Sequence, residues 1–205
     1  LRQGRIIGIA PVRPAAVPDL MIGVGPLVPL ASLDESRRIA ELAAISQPTL
    51  GGVFGLEELG WRLAAVDVSA PETLTTSDVD GYTPDFDIVW HGEPAGDRHA
   101  QAAAIVEEGI QRGARSALNG RKGVRIVATI TQFHAITPTV RRMQTVGVHN
   151  IQYTVQVFDA HSGAALTEPQ NIKAEFPALL GKAGDEADAA GNTQRVQIVN
   201  HIAAV

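Results

Sequence analysis

One stretch constrains the fold of this chain more than any other: residues 147–166, which read Gly-Val-His-Asn-Ile-Gln-Tyr-Thr-Val-Gln-Val-Phe-Asp-Ala-His-Ser-Gly-Ala-Ala-Leu. Ile151, Tyr153, Val155 and Val157 alternate there with Gln152, Thr154, Gln156 and Phe158. A period of two marks a half-buried strand. Asp159-Ala-His-Ser-Gly163 then reads as a turn. An Asp side chain can bond the backbone two residues on, and glycine takes a positive φ without steric cost. A second apolar-bearing run, Asn171 to Phe176, completes an antiparallel hairpin. The hairpin predicts the kind of domain and leaves its function open.

Composition narrows the function classes. Apolar residues make up 45% of the 205, enough for a core, but aromatics are only 4%, so that core rests on Val, Ile, Leu and Ala. A net charge of −5 argues against nucleic acid as a partner, since phosphate binding needs a basic face. With no Cys, disulfides and thiolate metal sites are excluded. No apolar run reaches the roughly 18 residues of a transmembrane helix. Leu20 to Leu33, the most apolar window, is broken by Pro26, Pro29 and two glycines. Leu1 is not an initiator Met, so a processed or truncated chain is expected, and a signal peptide or lipid-modified Cys could precede it. The chain could equally continue past Val205.

Two unequal parts are expected. Residues 1–55 form a Pro-rich arm, because Pro11, Pro14, Pro18, Pro26 and Pro29 interrupt helix and central strand alike. Arg5 to Val12 fits a short edge strand, and Leu33 to Ile45 one amphipathic helix with Asp34 as N-cap. Such an arm either wraps the domain, docks on a partner or is a disordered tail. Residues 56–205 read as a compact α+β domain with strands at 61–70, 87–90, 124–133, 151–158 and 171–176. Helices are expected from about Arg98 to Leu118 and from Thr193 to Val205, the first with Ala102, Val106, Gly109, Gly113 and Ala117 turned toward a sheet. The order β-(β)-α-β-β-β-α predicts one antiparallel sheet of four to five strands with two helices on one face.

Ala70-Pro71-Glu72-Thr73-Leu74, the run from Asp87 to Arg98, Phe133-His134, Gly147-Val-His-Asn150, Asp159-Ala-His-Ser-Gly163 and Thr193-Gln194 together carry a resemblance. Over residues 60–205 the chain resembles an uncharacterised family of bacterial, alphaproteobacterial-type envelope domains that are lipoprotein-like. More loosely, it is similar to the auxiliary lipoproteins of transporter and outer-membrane assembly systems. The resemblance implies an exported, often lipid-anchored domain, periplasmic or membrane-associated, without known catalysis. The visible chain has no Cys to carry such an anchor.

Candidate sites are few. His91, Glu93, Asp97 and His99 fall within nine residues and could offer N and O ligands to zinc or manganese. The Pro94 and Gly96 turn between them matches no fixed ligand geometry, so no metal and no cofactor is expected. Asp97 is better read as the cap of the 98–118 helix, with Arg98 bonding a loop carboxylate such as Asp85 or Asp87. His134 closes one strand and His149 opens the next. Paired strands would bring both to the same end of the sheet, as a pH-sensitive pair or as two imidazoles each bonded to a loop carbonyl. His91, Asp97, Arg98, His99, His134 and His149 thus make up the candidate polar cluster. No Ser lies in a Gly-x-Ser-x-Gly elbow, and the glycine-rich stretches miss the Walker and dinucleotide patterns.

Three functions remain open. A non-enzymatic binding or assembly module would use Leu20, Met21, Ile22, Leu27 and Val28 of the arm to contact a membrane-associated complex, or a second copy of the chain. A small-molecule or lipid-binding domain would hold its ligand in an apolar cleft between the sheet and the 98–118 helix. A metal hydrolase would use His91, Asp97 and His99.

Overall fold

The computed structural model describes residues 60–82, 85–143 and 146–205. Among them lie six strands and four helices: β1 Trp61–Ser69, β2 Thr76–Ser77, β3 Ile88–Val89, α1 Arg98–Ala117, β4 Lys122–His134, α2 Pro138–Arg142, β5 Val148–Asp159, β6 Gln170–Pro177, α3 Gly181–Ala189 and α4 Gln194–Ala204. The architecture is α+β, as the sequence predicts. The sheet, however, is mixed and not antiparallel, and the described helices are four and not two.

The two halves of the sheet differ because their connections differ. β5 is antiparallel to both β4 and β6; the connection from β4 carries α2, and the one to β6 opens with the Asp159–Gly163 turn. β1 pairs with β4 in parallel, because α1 carries the chain back between them, and a parallel pair requires such a crossover. β3 is also parallel to β4, at the far end of the same edge, and β2 lies outside β3. Strand β2 falls between the expected strands at 61–70 and 87–90, where the sequence predicts none. Two residues are too few for a period to register.

The phase of β1 departs from simple alternation. The pairing register shifts between Leu63 and Ala65, a bulge that places Trp61 and Leu63, then Val66 and Val68, toward the core. A similar shift between Ile130 and Gln132 keeps both Ile130 and Phe133 buried on one face of β4. That face meets Ile105, Val106 and Ile110 of α1 and Ile198, Val199 and Ile202 of α4 in one buried cluster. In α4 the buried set is Ile198, Val199 and Ile202, whereas the sequence pattern predicts Val196, Val199, Ile202 and Ala203 inward; Val196 and Ala203 are only half-buried.

Gly109 and Gly113 of α1 serve a helix and not the sheet, while Ala102 is buried in the core cluster and Ala117, predicted inward, is exposed. A Cβ on Gly109 would come within 2.6 Å of Ile202, and one on Gly113 within 2.6 Å of the Ala203 carbonyl oxygen. Both glycines therefore seat α4 against α1. Charged side chains brace the same contact. Arg195 of α4 donates to Glu93 at 3.0 Å and to Glu108, while Arg112 donates to Glu108 and Asn200. These bonds hold the Glu108 carboxyl below its usual pKa, chiefly through Arg195.

The predicted hairpin turn forms as expected. Asp159 accepts hydrogen bonds from the backbone N–H groups of His161 and Ser162, and Gly163 has a φ of 72°. Lys122 lies 3.3 Å from the same carboxylate. The two backbone bonds hold the Asp159 carboxyl well below the usual carboxylate range.

Candidate functional site

Six large hydrophobic side chains are exposed among the described residues: Val79, Tyr82, Phe86, Val146, Val148 and Leu179. They come from three separate segments, and the topology brings those segments to one end of the sheet, where β4 ends and β5 begins. Val79, Gly81, Asp85, Phe86, Val89 and Thr137 line a cleft of about 130 Å³. Tyr82, His134, Ile136, Val140, Met143 and Val146 help line a second, of about 250 Å³. Thr137 belongs to both, so the clefts adjoin. Leu179 joins this end because Ala178 donates to the Gly147 carbonyl, and Leu180 lies beside Gly147 and Ile136.

Polar groups hold these loops in place. Thr137 caps α2 by accepting from Val140 and also donates its hydroxyl to the Gly81 carbonyl at 2.8 Å. Asp80 accepts from the backbone N–H of Thr139 and from Arg142. Partial desolvation pushes the Asp80 pKa up, but these hydrogen bonds outweigh it and hold the carboxyl below its ordinary value. Asp87 accepts from both the N–H and the hydroxyl of Thr75, which lowers its pKa in the same way. The described residues of the loop end thus present an apolar surface beside which Thr137, Asp80 and Arg142 bond within the protein.

The structure disperses the residues that the sequence groups as a polar cluster, except that His99 Nδ1 lies 3.8 Å from Asp97 Oδ1. Asp97 is the N-cap of α1, accepting from the Ala100 N–H. Arg98 is 7% exposed and bonds Asp78, Gln101 and the carbonyls of Glu93 and Pro94; its carboxylate partner is neither Asp85 nor Asp87. A partner from the unread strand β2 region could not be chosen by sequence proximity. His99 meets the Leu74 carbonyl at 2.9 Å. His91 is half-buried on the loop before α1.

His134 and His149 do reach the same end of the sheet, but they are not a pair. His134 is registered opposite Asn150, so the next residue, His149, turns to the other face. His134 contacts the Phe86 carbonyl, whereas His149 is fully buried against Phe176. Among the described residues no three His, Cys, Asp or Glu side chains gather as metal ligands. Leu20, Met21, Ile22, Leu27 and Val28 lie outside the described residues.

The sequence reading misses the loop-end residues. Each is a single apolar residue in a polar loop, which is unremarkable one at a time. The available signal was apolar residues in segments with no period to bury them, such as Val146 and Val148 beside Gly147.

No curated protein matches the sequence. Several solved structures share parts of the fold at low identity. The crystal structure of protein XCC0632 from Xanthomonas campestris, assigned to DUF330, is 11% identical with a TM-score of 0.39, covering 78% of this chain and 85% of its own. A putative lipoprotein from Caulobacter crescentus CB15 is 11% identical with a TM-score of 0.31, covering 67% and 81%. A minor lipoprotein from Acinetobacter baumannii is 12% identical with a TM-score of 0.28, covering 68% and 85%. Superposition this loose carries no functional argument. The sequence itself does place the chain: a family model matches residues 61–205, and the chain belongs to a family of unknown function, DUF6778.

Proposed function

We propose that the domain is a non-enzymatic binding module that docks a partner protein at the loop end of its sheet, within a membrane-associated assembly of the bacterial cell envelope. The observation that carries this is that five of the six exposed large hydrophobics of the described residues, Val79, Tyr82, Phe86, Val146 and Val148, line two adjoining clefts. Contiguous exposed apolar surface marks contact sites. The polar groups beside it, Thr137, Asp80, Arg142 and His134, are bonded within the loops, which supports a docking surface over a reaction centre. The envelope setting rests on the resemblance of residues 60–205 to lipoprotein-like envelope domains.

The cleft size favours a partner's side chains over a bound small molecule. At about 250 Å³ the larger cleft falls below the roughly 300–1,000 Å³ of small-molecule sites. Between α1 and the sheet, where the alternative of a small-molecule or lipid-binding domain needs an apolar cleft, Ile105, Val106, Ile126 and Ile130 are buried in the core cluster. No described helix is long and apolar enough to cross a membrane, so any membrane link of the described residues runs through a partner, a surface contact or an anchor outside them.

Site-specific photocrosslinking in the native host tests the reading. A probe at Tyr82 or Val146 should capture a larger membrane-associated protein, and a control probe at Arg115, exposed on α1, should not. A protein that is monomeric after gentle extraction, with no crosslink at either loop position, would overturn it.

A further inference from the structure

His149 is fully buried, and among the described residues neither of its ring nitrogens finds a hydrogen-bond partner. Its ring packs on Phe176 of β6 at 4.8 Å between centroids, and Phe176 stacks on His201 of α4 at 4.3 Å. His201 Nε2 is also buried without a partner. The three rings link β5, β6 and the C-terminal helix in one stack. Buried imidazoles ordinarily hold a carbonyl or carboxylate; even the half-buried His99 and His134 contact the carbonyls of Leu74 and Phe86. The His149 stack has aromatic faces in place of acceptors.

We propose that His149, Phe176 and His201 are a pH-sensitive latch: the neutral His149 ring holds α4 on the sheet, and its protonation releases α4 while the rest of the domain stays folded. The charged groups around the ring all oppose a proton. From α4 the facing group is His201, itself a base. From α2 it is Arg141, a permanent cation whose own partners are Asp188 at 2.6 Å and Asp185 at 4.0 Å on α3. From β6 it is the uncharged Phe176; the neighbouring Glu175 is registered with Asn150 and points to the opposite face. No described carboxylate is bonded to His149 to stabilise an imidazolium.

The sign follows from burial. Desolvation, then His201 and Arg141, push the His149 pKa down from 6.5 to about 3. Burial lowers that of His201 as well. A base depressed in the closed state contributes stability above its open-state pKa of 6.5 and loses it as pH falls toward 3. At about pH 4.5 the open state gains a factor of about 100 over its population at neutral pH.

Hydrogen exchange of α4 amides, corrected for the intrinsic rate and compared at about pH 7.5 and 4.5, reads this directly. The opening constant of α4 should rise about 100-fold, with β4 and α1 amides far less affected. His149→Leu should reduce the rise to about threefold or less, since a buried polar group without partners can be replaced by an apolar one at little cost. His201→Phe, which keeps the stack and leaves His149 in place, should retain most of it. Pulling the idea down takes any one of three results: α4 exchange that ignores pH, a rise that survives in His149→Leu, or β4 and α1 opening in step with α4. If His149→Leu does not fold, the His149 ring signal of the wild type decides by NMR. It should stay neutral in the closed form down to about pH 5, and a ring titrating near its ordinary value would refute the latch.

Discussion

The two ends of the sheet are built on opposite rules. At the hairpin end, where β4 begins and β5 finishes, backbone N–H groups and Lys122 converge on Asp159, and the exposed residues are Ala160, His161, Ser162 and Gly163. At the loop end, polar side chains are used up inside the loops and apolar ones are left outside. The same strands run through both ends. The difference teaches that strand patterning sets the core, whereas the loops decide which end meets water and which meets a partner.

That contrast can be broken or sharpened by substitution. The largest effect is expected beneath the loop end. Phe133 is fully buried and meets Trp90 edge-on at 5.9 Å. Phe133→Ala should cost about 3–5 kcal/mol in urea unfolding and should also weaken partner capture, because the loops above it lose their support. Capture at full strength by so damaged a domain would show that the loops do not depend on the core.

Next comes the hairpin end. A Cβ on Gly163 meets no atom within 4 Å, so any penalty there comes from the backbone alone. Gly163→Val forces a β-branched residue to a φ of 72° and should cost roughly 1–3 kcal/mol while leaving partner capture intact. Equal denaturation midpoints would mean that the turn relaxes freely.

The loop-end surface should behave in the opposite way. Tyr82→Asp with Val146→Asp places charge on side chains that are 67% and 77% exposed. Stability should move by less than about 0.5 kcal/mol, and crosslinking at Val148 should fall at least tenfold. Undiminished crosslinking in a folded double variant would erase the contrast between the ends. The smallest effect belongs to His161→Ala, within about 0.5 kcal/mol and without change in capture, since His161 is an exposed turn residue whose backbone, not ring, is bonded.

How much of this was legible in the sequence depended on the range of the forces involved. Strands β4, β5 and β6, helices α1 and α4, the Asp97 cap and the positive φ of Gly163 are set by local patterns and are legible in the sequence. The parallel seat of β1 was not legible, because nothing in Trp61–Ser69 says on which side of β4 it lies. The bulge at Ala64 further disguised its inward face. Helices α2 and α3 are short and carry little apolar periodicity. Gly109 and Gly113 announced a close approach without naming α4 as the neighbour. The candidate surface was least legible of all, being assembled from single residues as distant in sequence as Val79 and Leu179.

The parallel placement of β1 has a consequence for how the domain assembles in time. Trp61 meets Lys122 across sixty-one positions of chain, whereas Asp159 meets Ala164 and the β5–β6 pairs close over shorter loops. Closing the longer loop costs more chain entropy before any contact rewards it. The β4–β5–β6 meander therefore condenses first, and β1 and β3 zip onto the waiting edge of β4 only after α1 has formed. Substitutions in the meander should slow folding, while those in β1 should chiefly speed unfolding. Until β1 arrives, the newly made domain carries one open edge along its central strand.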